Sequence, residues 1–499
     1  MRRTAVVAAF LCLLAAVVMG EHIVTADVEG DAPNYGFEVL SSIDHQGAWG
    51  IWLHKNHLYV GNFDSECPGS GFGIDTYDVS DPANPVRVSH LPSPSDVAWT
   101  RHVRVGTLAS EHFRGEVAVV PVECDRGGNL YPGTGRALMV WDVTDPADPR
   151  LLSTWGDPDF ALGWHGAHTI EFHPPYVYLS MWSDGLAIID ISDPRNPEEL
   201  QRMNFGGFVH FSYASDDGTR LYVSDAGAGL VILDVTEPGN ATVIGWHLQT
   251  FPGSAFSASG EDGTWVVSTS HGECPSRPAL ILDTADETDP KLAASIRIEA
   301  MDRPCPNPSG ATPLEIQIRG NLVFITWTGA GLQVFNVSNP YAPTEFSKWS
   351  PPTGELSGIN PGPKGLFVEG DLIFVSSAMK RVHILRFDTM DVAFDVETST
   401  PGSLTARIVL TYTSDGSPVR GASVTIGDSD AVEEDPGFYK VVLGTLSPLF
   451  DLQLEVSVTG FPEASMSSGG LHLGNAILIA VLLTVGIVTA VFFAKRRRS

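Results

Sequence analysis

The stretch GLAIIDISDPRNP, Gly185 to Pro197, is an apolar, β-branched run that ends abruptly in Asp-x-Ser-Asp-Pro. Asp, Ser and Asn side chains fold back onto their own backbone and Pro fixes φ, so the phrase predicts a strand running into a tight turn. It recurs as FGIDTYDVSDPANP from Phe72, ALMVWDVTDPADP from Ala137, GLVILDVTEPGN from Gly229, ALILDTADETDP from Ala279 and GLQVFNVSNPYAP from Gly331, at spacings of about 45 to 65 residues. The recurrent Asp78, Asp142, Asp190 and Asp234 read as turn formers rather than catalytic acids. The phrase from Ala279 reads as carrying one inserted residue, which leaves its turn in question.

Another short apolar strand precedes each phrase: LYVGN from Leu58, VAVVP from Val117, VYLSMW from Val177, LYVSD from Leu221, WVVST from Trp265 and LVFITW from Leu322. Ahead of these lie further strands, such as GIWLH from Gly50, HTIEFH from His168 and LEIQI from Leu314; a fourth, such as LLSTW from Leu151, follows the turn. Four short antiparallel strands per unit make the blade of a β-propeller. A seventh unit, LIFVSS from Leu372 and RVHILRF from Arg381, stops at Phe387 without a fourth strand. FEVLSSID, Phe37 to Asp44, supplies the missing one and removes the exposed edges of an open sheet. The expected fold is therefore all-β: a seven-bladed β-propeller over 35–387, then a small β-sandwich and one C-terminal transmembrane helix.

The phrases GLAIIDISDPRNP and GLVILDVTEPGN resemble the LVIVD repeat, a family of extracellular propeller repeats in bacteria and archaea. The resemblance covers about Tyr35 to Phe387 and implies architecture without a substrate or catalytic residues. Beyond it, LTARIVLTYT from Leu404, GASVTIG from Gly421, GFYKVVLG from Gly437 and LQLEVSVTGF from Leu452 alternate as strands. The DGSPVRGASVTI stretch is similar to immunoglobulin-like and carboxypeptidase-regulatory-like modules, so 390–462 is expected to be an immunoglobulin-like spacer.

The two ends read as targeting segments. Residues 1–20 combine Arg2 and Arg3 with an apolar run and a small-residue end, the pattern of a signal peptide. Residues 463–475 read as a linker. Ala476 to Ala494 carries no charge and is long enough at about 1.5 Å per residue to span a bilayer, and the basic tail 495–499 places the C-terminus in the cytoplasm. Ser467-Ser468-Gly469-Gly470 ahead of this helix also resembles a processed bacterial sorting tail, which would remove the anchor. The expected location is the cell membrane, single-pass, with the ectodomain outside.

The formal net charge is −29. Without the terminal cations, 24 basic residues face 59 acids, so the exported part repels nucleic acid. Outside the leader, Cys67, Cys124, Cys274 and Cys305 form an even set, which in an exported chain favours disulfides. Cys67 and Cys124 occupy equivalent loops of neighbouring units, while Cys274 lies in the corresponding loop of the fifth and Cys305 in the loop leading from the fifth to the sixth, so the expected bridges are Cys67–Cys124 and Cys274–Cys305.

No G-x-S-x-G, H-E-x-x-H, Walker loop or C-x-x-C is present. Histidines recur where the innermost strands of units two, three and four begin: His102, His168 and His210. With Glu315 across the ring they could hold a divalent transition metal, since imidazole suits zinc, copper, nickel or iron; alternatively they hydrogen-bond backbone at the rim. Two functions follow: a cell-surface binding scaffold for extracellular protein, glycan or matrix, or a metal-dependent enzyme or metal-binding protein. The first is favoured because no catalytic motif accompanies the repeats.

Overall fold

The computed structural model describes residues 35–63, 73–93, 99–122, 138–156, 167–248, 257–260, 263–269, 277–302, 311–352, 355, 362–377, 380–400, 403–412, 418, 424–426, 429–435, 437–442 and 456–458. The expected signal peptide, the apolar C-terminal segment and its linker, and all five cysteines lie outside these residues, so the expected anchor and both expected bridges do too. Among the described residues no helix is long and apolar enough to cross a membrane.

The chain divides into two compact units, one of them Phe37–Phe387. In that unit, among the described residues, six four-stranded antiparallel sheets follow one another along the chain, within 48–92, 104–155, 169–203, 209–247, 257–296 and 313–349. Each uses four consecutive strands in neighbour order, the construction of a β-propeller. A further sheet comprises Pro363–Glu369, Leu372–Ser377 and the start of the strand Arg381–Thr400, with Tyr35–Asp44 paired beside it. The N-terminal strand thus completes the last sheet, as the sequence predicts. The compact unit ends at Phe387, the expected boundary, while the strand itself continues to Thr400.

Strand periodicity explains how the sheets hold together. Successive side chains point to opposite faces, so one strand serves two interfaces. Val117 and Val119 pack with Ile170, Val177 and Leu179 of the third sheet, while Ala118 and Val120 pack with Tyr59, Ile74 and Leu91 of the first. The same alternation joins the third sheet to the fourth through Ile188 and Val223, and the fourth to the fifth through Ile232 and Val266. The fifth meets the sixth through Ile281 and Ile325. Phe324 meets Phe387 at 5.2 Å between centroids, and Leu58 and Val60 pack with Phe374 and Ile384. The core is therefore a series of apolar seams between sheets, in which each fully buried Val, Leu or Ile contributes about 1.5–3 kcal/mol.

The recurrent aspartates are consumed by the turns. Asp78, Asp142, Asp190, Asp234, Asp283 and Asn336 each accept the backbone N–H two residues on, at 2.9, 3.0, 2.6, 2.9, 2.9 and 2.9 Å. Three positions later Asp81, Asp145, Asp193, Asp286 and Asn339 repeat the bond at 3.0–3.1 Å. The fifth repeat makes both bonds in the same register. The expected insertion in ALILDTADETDP is thereby corrected: Glu287 stands where the other repeats place Pro or its equivalent, with no added residue.

In the other unit, Met390–Thr400 pairs antiparallel with Ser403–Tyr412, which pairs in turn with Phe438–Val442, and that strand with Val432–Asp435. Val424–Ile426 pairs with Ser429–Asp430 and with Val456–Val458.

Candidate functional site at the channel

The innermost strands Arg104–Ala109, Thr169–His173 and Val209–Ala214 lie side by side in that order, and Pro313–Arg319 is the innermost strand of the sixth sheet, beside Ser257–Ser259 and Pro363–Glu369. His102 lies just before the first, His168 immediately before the second, His210 at the start of the third and Glu315 near the start of Pro313–Arg319. All four are buried. Backbone contacts fix these starts. The His168 N–H donates to Ser180 O at 2.8 Å, the Thr169 hydroxyl donates to His210 O at 2.6 Å, and the Glu315 N–H donates to the Thr326 hydroxyl at 3.1 Å.

The four predicted residues meet as two linked pairs. His168 Nε2 and His210 Nε2 are 2.9 Å apart, within hydrogen-bond distance. His102 Nδ1 stands 4.0 Å from Glu315 Oε1, and the His102 and His168 rings are 6.1 Å apart between centroids. Glu315 Oε2 accepts the Leu366 N–H at 2.5 Å. Burial pushes the Glu315 carboxyl up to about 7, against the opposing pull of Arg104 and the Leu366 N–H. Among the described residues no three His, Cys, Asp or Glu side chains close around one point that could hold a metal ion.

Sequence reasoning missed the walls of this site. Trp182 packs on His168 with centroids 4.2 Å apart and lies 5.6 Å from His210, with its backbone at φ +46°. A bulky residue in the left-handed region carries strain that the surroundings must hold. The Val209 N–H donates to Trp182 O at 3.0 Å, tying that strained residue to the strand bearing His210. Arg101 lies over Phe63 and Trp99 at 4.5 and 4.6 Å, and Lys364 lies 5.4 Å from the Trp49 ring. Arg104 Nε donates to Glu171 at 3.4 Å, and burial raises the Glu171 carboxyl. Gly50 makes room for the site, because a Cβ there would come within 2.6 Å of Arg101 O and 2.7 Å of His102 Nδ1.

A second cluster, also absent from the sequence reading, surrounds Asp75 in the first sheet. His45 Nε2, His90 Nδ1 and Arg87 Nε stand 2.9 Å from its carboxylate oxygens. Burial raises the Asp75 carboxyl, but these three partners outweigh it and hold the group far below its ordinary value.

Comparison with known proteins agrees with the repeat. The LVIVD repeat model matches residues 169–204, 218–246 and 314–349, three of the repeat units read above. No curated protein matches the chain. The structural neighbours are β-propellers. Raptor from Chaetomium thermophilum is 10% identical with a TM-score of 0.50, over 71% of this chain and 29% of that one. A catalytically inactive virginiamycin B lyase from Staphylococcus aureus, crystallised with quinupristin, is 13% identical with a TM-score of 0.47, over 70% of this chain and 99% of that one. The chain thus contains LVIVD repeats folded as a β-propeller.

Proposed function

We propose that this chain is a binding scaffold: a seven-bladed propeller displayed outside the cell, carried by an immunoglobulin-like spacer and held by its C-terminal apolar segment. The observation that carries this reading is the fate of the repeated acids. The side chains that could have served as a ring of carboxylates are spent on Asx turns, so the repeats serve architecture and leave the loops to recognise an extracellular protein, glycan or matrix component. Propeller folds host many functions, and the absence of a local catalytic motif favours binding over catalysis. The test is surface crosslinking and capture with the tagged full chain on intact cells. Reproducible partners, together with release of the propeller by added protease, support the reading. A propeller reached by protease only after lysis overturns the display.

A second reading rests on one distance. The 2.9 Å approach of His168 Nε2 to His210 Nε2 points two imidazole nitrogens at each other, and a transition metal could take both after a small separation, with His102 and Glu315 as further ligands. Metal analysis of the full chain, and thermal stability with zinc, copper or nickel before and after chelation, test it. A metal-free protein that gains no stability with any of the three, and is unchanged in this respect by His168→Ala, ends it.

A further inference from the structure

At the end of the innermost strands opposite the histidines lies a cavity of about 550 Å³, within the range of about 300–1,000 Å³ typical of small-ligand pockets. It is lined by the fourth and fifth sheets and by Ile318 of the sixth.

We infer that this cavity binds a neutral, polyhydroxylated ligand of mono- or disaccharide size. Its wall offers two kinds of surface together. Tyr213 and Ile318, both half-buried, present apolar area on which the C–H face of a sugar ring can rest, and Tyr213 ends in a hydroxyl. Around them stand groups suited to sugar hydroxyls. The Arg220 guanidinium is fixed by Glu287, with Nε donating to its two oxygens at 2.8 and 3.0 Å, and Nη1 donates to Thr219 O at 3.1 Å. Among the described residues this leaves the Nη2 donors uncommitted. The carboxylate of Asp216, exposed beside Tyr213, likewise makes no hydrogen bond to a described residue.

The charge balance selects against ionic ligands. Among the described lining residues Glu287 neutralises the one arginine, and Asp216 and Asp217 add negative charge, so phosphates and carboxylates are repelled. A small cation would find Asp217 engaged by Ser215 and Thr219 and Glu287 by Arg220, which leaves Asp216 as the one uncommitted carboxylate among the described lining residues. A neutral polyol uses both the Tyr213 ring and the donors and acceptors around it.

The inference rests on the scaffold reading and names a ligand class for it. Because it is tested with soluble sugars, its failure leaves the capture of surface partners untouched. Saturation-transfer NMR on the full chain would use the methyl glycosides of glucose, galactose, mannose and N-acetylglucosamine, with lactose and cellobiose, and inorganic phosphate as the ionic control. The expected result is transfer to ring C–H protons of at least one sugar and none with phosphate by a matched binding titration. Asp216→Asn, at an exposed position, and Tyr213→Phe, which keeps the ring, should preserve the fold, and at least one should weaken that sugar's affinity tenfold or more. No transfer from any sugar overturns the inference. So does sugar binding that both variants leave unchanged, or phosphate binding in its place.

Discussion

His168 Nε2 faces His210 Nε2 at 2.9 Å, so a hydrogen bond between them requires one nitrogen to carry a proton and the other to offer its lone pair. The two rings belong to adjacent sheets, and the bond ties the starts of two innermost strands across their seam. A double-mutant cycle of His168→Ala and His210→Ala should therefore be non-additive, with a coupling of about 0.5–3 kcal/mol in chemical denaturation. Additive losses would mean that the two rings merely lie side by side.

Asp75 predicts acid sensitivity with a definite sign. Its folded pKa is depressed despite the opposing effect of burial, because His45, His90 and Arg87 favour the carboxylate. The stability it contributes is present above the unfolded value of about 3.9, and is lost as pH falls below that value toward the folded one. The wild-type chain should lose stability on acidification below about pH 4. Asp75→Asn should be less stable at pH 7, and its deficit should shrink as the pH drops, read as denaturation midpoints across a pH series.

Gly50 predicts how tightly the channel site is built. An alanine methyl group would press on Arg101 O and His102 Nδ1 at once. Gly50→Ala should cost about 1–3 kcal/mol and shift the His102 ring resonances in NMR spectra. An unperturbed ring and unchanged stability would show that the first and second sheets have slack at this point.

The turn aspartates predict a modest, uniform penalty. Asp142→Ala, Asp190→Ala or Asp234→Ala removes one side-chain bond to a turn N–H, and each should cost about 0.5–1.5 kcal/mol without altering captured partners. Loss of partner binding in a variant of unchanged stability would reassign that acid to recognition.

Much of the architecture was legible because it is local. Asp-x-Ser-Asp-Pro dictates its own turn, and alternating valines and isoleucines around Val119 and Val223 dictate strands buried on both faces. The closing role of Phe37 to Asp44 was legible too, from one missing strand and one surplus strand. The starts of the innermost strands placed His102, His168, His210 and Glu315 near one another, yet spacing could not tell that they would meet as two pairs. Trp182 and the partners of Asp75 left no local signal. Their positions depend on how separate sheets pack, and Trp182 adopts a backbone conformation that its side chain disfavours.

The pairing of Tyr35–Asp44 with the last sheet sets an order of events. The six sheets within 48–349 join strands adjacent in sequence, so each can form as soon as its own segment is available. The final sheet instead joins residues as distant as Ser42 and His383, 341 positions apart, where the serine hydroxyl and His383 Nδ1 lie 2.9 Å from each other. During synthesis the strand Tyr35–Asp44 has to wait for its partner in the last sheet until almost the whole propeller has followed it. An N-terminal fragment that ends before Arg381 therefore retains a free edge, and ring closure acts as a completeness check on the propeller.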